Sequence, residues 1–157
     1  GKELDLFHPV VNLAQAMVDT TDPIHYMGRI IQRPREGFAP KSIFETEGIG
    51  ADGVGDSYAP PHGIEVGAVA LGLPRQAPGL WPIREAKFAG LGDVTVPAEG
   101  LVGNLAGGKA SGVLAQYAPK PGSDGHFVAY DVPEAKSQIV KFLRNLADDP
   151  RGKVSPP

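Results

Sequence analysis

The chain has 157 residues, 41% hydrophobic and 21% charged, with a net charge of −3; this is the make-up of a globular domain with its own core. No basic cluster is present, which argues against a nucleic-acid or anionic-membrane partner, and no apolar run approaches the ~18 residues of a membrane span. The absence of Cys removes disulfides, thiolate metal sites and Cys nucleophiles. Gly (21) and Pro (16) are abundant but dispersed among apolar segments, a pattern of many tight turns. Nothing reads as a signal peptide, and a start at Gly1 fits a processed or truncated product as well as a native one.

Residues 8–19 read as a helix. Pro9 suits its first position, His8 serves as a cap, and Val10, Leu13, Ala14 and Met17 recur at helical spacing. Asp22-Pro23 resembles a second helix start, with Met27, Ile30 and Ile31 as its apolar face. A Pro- and Gly-containing loop from Arg33 to Pro40 leads to a strand at 42–48, rich in β-formers and closed by Gly48. A Gly-rich loop follows; it lacks the Gly-Lys-Ser/Thr of a phosphate-binding loop. Residues 63–73 then read as a helix. The region 74–120 reads as irregular structure with short strands, ending in a strand at 112–118. The final helix, 133–147, opens with Pro133 and Glu134 and carries Ile139, Phe142, Leu143 and Leu146 on one face. Residues from Gly152 to Pro157 read as a frayed tail.

Two loops carry the chemistry. One is Gly53-Val54-Gly55-Asp56-Ser57-Tyr58-Ala59-Pro60-Pro61, between a strand and a helix. The other is Asp124-Gly125-His126-Phe127, between a strand and the last helix. Loops at the C-terminal ends of strands in an open α/β sheet converge on one crevice, so Asp56 and His126 are expected to meet. A His base needs such a carboxylate to fix its tautomer and to stabilise the imidazolium that forms.

The order acid then His, together with His8-Pro9, Asp22-Pro23-Ile24-His25-Tyr26, the Gly-Asp-Ser-Tyr-Ala-Pro loop and Asp124-Gly125-His126-Phe127, resembles the C-terminal part of secreted or lipoprotein-type bacterial esterases and lipases of the α/β-hydrolase family. The resemblance touches nearly the whole chain. It implies an α/β fold, Asp56 as triad acid, His126 as triad base, no cofactor or metal, an extracellular, periplasmic or outer-envelope location, and a small ester as substrate. The family's Gly-x-Ser-x-Gly elbow is absent, and so are its early strands and oxyanion loop. The resemblance therefore implies about half of a hydrolase. A second polypeptide would carry the nucleophilic Ser and the oxyanion hole in a heterodimer; the alternative is a non-catalytic binding or assembly module.

Other readings compete at each position. Asp56 also suits a capping or turn Asp, and Asp124-Gly125 a hairpin turn. Asp93 is a rival acid, because it lies nearer His126, at roughly the 30-residue length of a βαβ unit. Asp56 is preferred because a strand precedes it and a helix follows. Asp52 is a weaker rival. Glu45 and Glu47 read as strand carboxylates making surface or loop contacts. His8, His25 and His62 lack metal-ligand spacing. Trp81 reads as packing under a loop, or as the lining of an acyl pocket, which residues 8–31 could help to shape.

Overall fold

A computed structural model describes residues 8–157 of the chain. The protein is an α/β domain built on a four-stranded, wholly parallel sheet. Two helices come first, α1 (Pro9–Val18) and α2 (Ile24–Met27). His8 Nδ1 accepts from the Val10 amide at 3.2 Å and caps α1, while Asp22 Oδ1 accepts from the Ile24 amide at 3.0 Å at the start of α2. Then follow β1 (Ile43–Gly48), α3 (Pro61–Leu71), β2 (Arg75–Ala77), β3 (Asp93–Thr95), β4 (Gly112–Tyr117), α4 (Val128–Asp131) and α5 (Pro133–Asp148).

Helix α3 begins and ends two residues before the expected 63–73 helix. Pro61 fills its first turn, where no amide hydrogen is needed, and Gly72 ends it with a left-handed φ of 81°. The short helix α4 was not expected. Val132 is held extended by the Pro that follows, and this separates α4 from α5.

The strand order is β1-β4-β2-β3. The last strand in sequence thus lies between β1 and β2, pairing with β1 from Ile43↔Gly112 to Gly48↔Tyr117. Among the described residues, strand β1 has a strand partner on this side only. Alternation along the strands splits the core in two. On one face Leu114 packs with Ala68 and Leu71 of α3, together with Ile31, Leu73 and Leu105. On the other, Val113, Ala115 and Tyr117 meet Ala135 and Phe142 of α5, Val128 and Val154. A fully buried aliphatic or aromatic side chain contributes about 1.5–3 kcal/mol, so these two layers hold the sheet between α3 and α5.

Three expectations are corrected. The second helix ends at Met27, so Ile30 and Ile31 lie in the turns beyond it and not on its apolar face. The segment after Gly152 is not a frayed tail: Val154 is fully buried and forms a two-way bridge with Leu101, with N···O distances of 2.8 and 2.9 Å. The Gln138 side-chain amide donates to the Ser155 carbonyl at 2.5 Å, and Lys141 to that of Pro156 at 3.0 Å. Glu47 is not a surface carboxylate either. It is completely buried and accepts from the Gln116 side chain at 2.8 Å, because β4 covers the flank of β1 that a lone strand would expose.

The segment joining α2 to β1 packs at one end of the sheet. The Gln32 side chain donates to the Ala70 carbonyl at the C-terminus of α3, at 2.9 Å. The Lys41 amide donates to Ile30 just before β1. A cavity of about 450 Å³ lined by Tyr26, Ile30 and Phe38 together with Arg29, Arg35 and Lys41 opens in this segment. Helix α1 buries none of its residues and exposes Val10, Leu13 and Met17. Among the described residues, no helix is long and apolar enough to cross a membrane.

Candidate active site

Asp56 and His126 lie just beyond the C-terminal ends of two adjacent parallel strands, β1 and β4. This is where an open parallel sheet places its ligand crevice. The chain leaves β1 at Gly48 and returns after a tight loop: the Gly50 amide donates to Val54 at 2.7 Å, and the Asp56 amide donates back to Gly48 at 3.1 Å. Asp52 Oδ1 accepts from the Val54 amide at 3.1 Å and so spends itself inside this loop. Trp81 lies beneath it. A Cβ on Gly53 would fall 2.7 Å from the indole ring, so the ring acts as a floor for the loop.

Asp56 is oriented by its own backbone. Its Oδ1 accepts from the Tyr58 amide at 2.8 Å and the Ala59 amide at 2.7 Å, a turn-type arrangement. That leaves Oδ2 free to accept from His126 Nδ1, at 3.1 Å. The carboxylate is only 8% exposed. Burial pushes its pKa up, but the Ala59 and Tyr58 amides and His126 outweigh that and hold it below the ordinary Asp value. Asp56 is therefore an anion at neutral pH.

His126 sits in a single 3₁₀ turn, Gly125–Phe127, between β4 and α4. Its ring packs against Tyr58, with centroids 4.8 Å apart, and Phe127, at 5.2 Å in an edge-on arrangement, and those two rings are 6.1 Å from each other. With Nδ1–H given to Asp56, the unprotonated nitrogen is Nε2, which has no hydrogen-bond partner among the described residues. The side chain is 45% exposed. A carboxylate-anchored imidazole with an accessible Nε2 can take a proton from a nucleophile and return it to a leaving group.

No protein family, curated protein or solved structure matches the chain.

The rival acid lies elsewhere. Asp93 is on β3, at the opposite edge of the sheet from β1, where it takes a two-pronged bond from Arg75, with Nε at 2.9 Å and Nη2 at 2.6 Å. His25 is paired with Asp19 at 3.5 Å and His62 with Glu85 at 3.0 Å. Among the described residues, no three His, Asp or Glu side chains are arranged to hold a metal ion. Sequence reasoning missed what Asp124 does. Its Oδ1 accepts from the His126 amide at 2.8 Å and from the Ser57 amide at 3.1 Å. An Asp two residues before His126 was visible as a turn former; its bond across to the other loop had no sequence signal.

Proposed function

We propose that the protein is the acid- and base-bearing portion of an α/β-hydrolase-type serine esterase, acting on a carboxylic ester. The observation that carries this reading is the 3.1 Å bond between Asp56 Oδ2 and His126 Nδ1. It joins an anionic, backbone-pinned carboxylate to a half-exposed imidazole whose other nitrogen has no hydrogen-bond partner among the described residues. Asp56 fixes the tautomer; His126 Nε2 removes the proton from a Ser hydroxyl as that oxygen attacks the ester carbonyl, then delivers it to the departing alcohol. Water repeats the sequence on the acyl-enzyme. The Ser and the oxyanion-hole donors come from a second polypeptide.

The free edge of β1 supports this arrangement. A parallel strand added there would end at the same crevice as Asp56. Ser57, the Ser next to the acid, is an unsuitable nucleophile, because no hydrogen bond joins its hydroxyl to His126, whose ring bonds Asp56 instead.

The test is a set of four single variants, His8→Ala, His25→Ala, His62→Ala and His126→Ala, in the protein isolated with its companion polypeptide. Each is treated with a fluorophosphonate probe and melted. His126→Ala should abolish labelling and still melt cooperatively, while the other three should label normally. Undiminished labelling of His126→Ala would sink the esterase reading.

A further inference from the structure

The loop after β1 and the loop after β4 come from chain segments 70 residues apart, yet the acid and the base must stay within hydrogen-bond reach. We propose that Asp124 is a positioning residue: its single Oδ1 lashes the acid loop to the base loop and so holds Asp56 against His126. The inference rests on the esterase reading only for its purpose; the geometry stands without it.

Asp124 Oδ1 accepts from two amides at once. One belongs to Ser57, directly after the acid, at 3.1 Å; the other to His126 itself, at 2.8 Å. The clamp therefore grips the residue next to Asp56 and the backbone of the base. A cap serving only the 3₁₀ turn would need the second bond alone. Below the clamp the two loops touch without side chains between them. A Cβ on Gly125 would lie 2.5 Å from the Asp56 amide nitrogen, and one on Gly48 would collide with the Gly125 backbone. Backbone contact sets the distance between the loops, and the Asp124 carboxylate prevents them from sliding. The charge of Asp124 also belongs to the arrangement. Hydrogen bonds from the Ser57 side chain and from the His126 and Ser57 amides hold its carboxyl below the ordinary Asp value.

The consequence is specific to His126. With the clamp intact, its neutral ring carries the proton on Nδ1. Without it, the loops separate, the Asp56 bond lengthens, and the ring becomes a mixture of tautomers with a mobile Nδ1 proton. The readout is ring ¹⁵N chemical shifts and the Nδ1-proton resonance in the protein isolated with its companion polypeptide, near pH 8.

Asp124→Ala should lose the Nδ1-proton resonance and shift both ring nitrogens toward tautomer averaging, with faster amide exchange at Ser57. Asp124→Asn keeps an acceptor oxygen and should restore most of the pattern. A tautomer state in Asp124→Ala identical to that of the unmodified chain would overturn the proposal. If Asp124→Ala does not fold, the unmodified chain decides through an acid titration. The Ser57 and His126 amide resonances should move together with the Asp124 carboxyl; independent movement would count as failure. A clamped His126 in a protein whose companion Ser never labels with fluorophosphonate would end the esterase reading and leave the clamp standing.

Discussion

Gly48 and Gly125 meet backbone to backbone at the base of the Asp56–His126 pair, and neither position has room for a Cβ. Gly125→Ala would push a methyl against the Asp56 amide nitrogen, at 2.5 Å without relaxation. Overpacking of this kind costs about 1–3 kcal/mol, and relief requires the acid loop to move. We expect Gly125→Ala to lower the denaturant midpoint and to weaken the His126 Nδ1–H signal. Wild-type values for both would show that the close approach is not restrictive.

The two candidate acids make opposite predictions. Asp56→Asn should lower kcat of the assembled enzyme by about 10³–10⁴, the scale on which a triad loses its correct tautomer. Asp93→Asn should change kcat less than about tenfold and weaken only its ion pair with Arg75. For a half-exposed pair that costs at most about 1 kcal/mol of stability. Steady-state kinetics on both variants settles the assignment, and reversed effects would move the acid to Asp93.

Glu47 gives the fold a pH dependence of unusual sign. Burial raises its pKa from 4.5 to about 7, against the opposing Gln116 hydrogen bond. The folded protein thus holds this proton more tightly than the unfolded chain does. Stability from this group is complete below pH 4.5 and is lost as pH rises to about 7, by about 3 kcal/mol at most. Glu45, also raised to about 7 by burial and by the neighbouring Glu47 charge, acts in the same direction. Glu47→Gln should raise the melting temperature at pH 8 more than at pH 5. An equal shift at both values would refute the assignment.

Val154 anchors the C-terminal segment in the α5-side core. Val154→Ala should cost about 1–3 kcal/mol, in line with the transfer of a buried aliphatic side chain plus the cavity left behind. Chemical denaturation measures it. A change within a few tenths of a kcal/mol would mean that the segment contributes nothing to stability.

Among the described residues, strand β1 has no strand partner on its second edge, and Ile43–Gly48 holds no Pro or Lys to discourage pairing there. On the proposed two-chain arrangement, the isolated chain is expected to self-associate and to become monodisperse once the second polypeptide is bound. Analytical ultracentrifugation checks this; a monomeric isolated chain with a sharp thermal transition would contradict it.

Local signals made some of this legible in the sequence. His8-Pro9 and Pro133-Glu134 announce helices through capping chemistry that operates over a few residues. Asp56 and His126 stand out because each follows a strand-like run. What depended on distant pairing was not legible. Nothing in the residues of β4 says that it inserts between β1 and β2, and the burial of Glu47 follows from that insertion. The docking of Val154 onto Leu101 has the same origin, since a short polar tail becomes ordered only when a groove receives it. The bond from Asp124 to Ser57 depends on how two loops cross, which no periodicity encodes.

The central place of β4 also sets the order in which the molecule can assemble. Until residues 112–117 are in position, β1 lacks any strand partner and β2 pairs only with β3. The pieces on either side are joined by the same strand that delivers His126. Closing so long a loop is slow because its entropy is lost before the contacts form. Formation of the sheet and arrival of the base beside Asp56 thus become a single late event. A nascent chain would carry a folded-looking α3 and α2 well before it carried any chemistry.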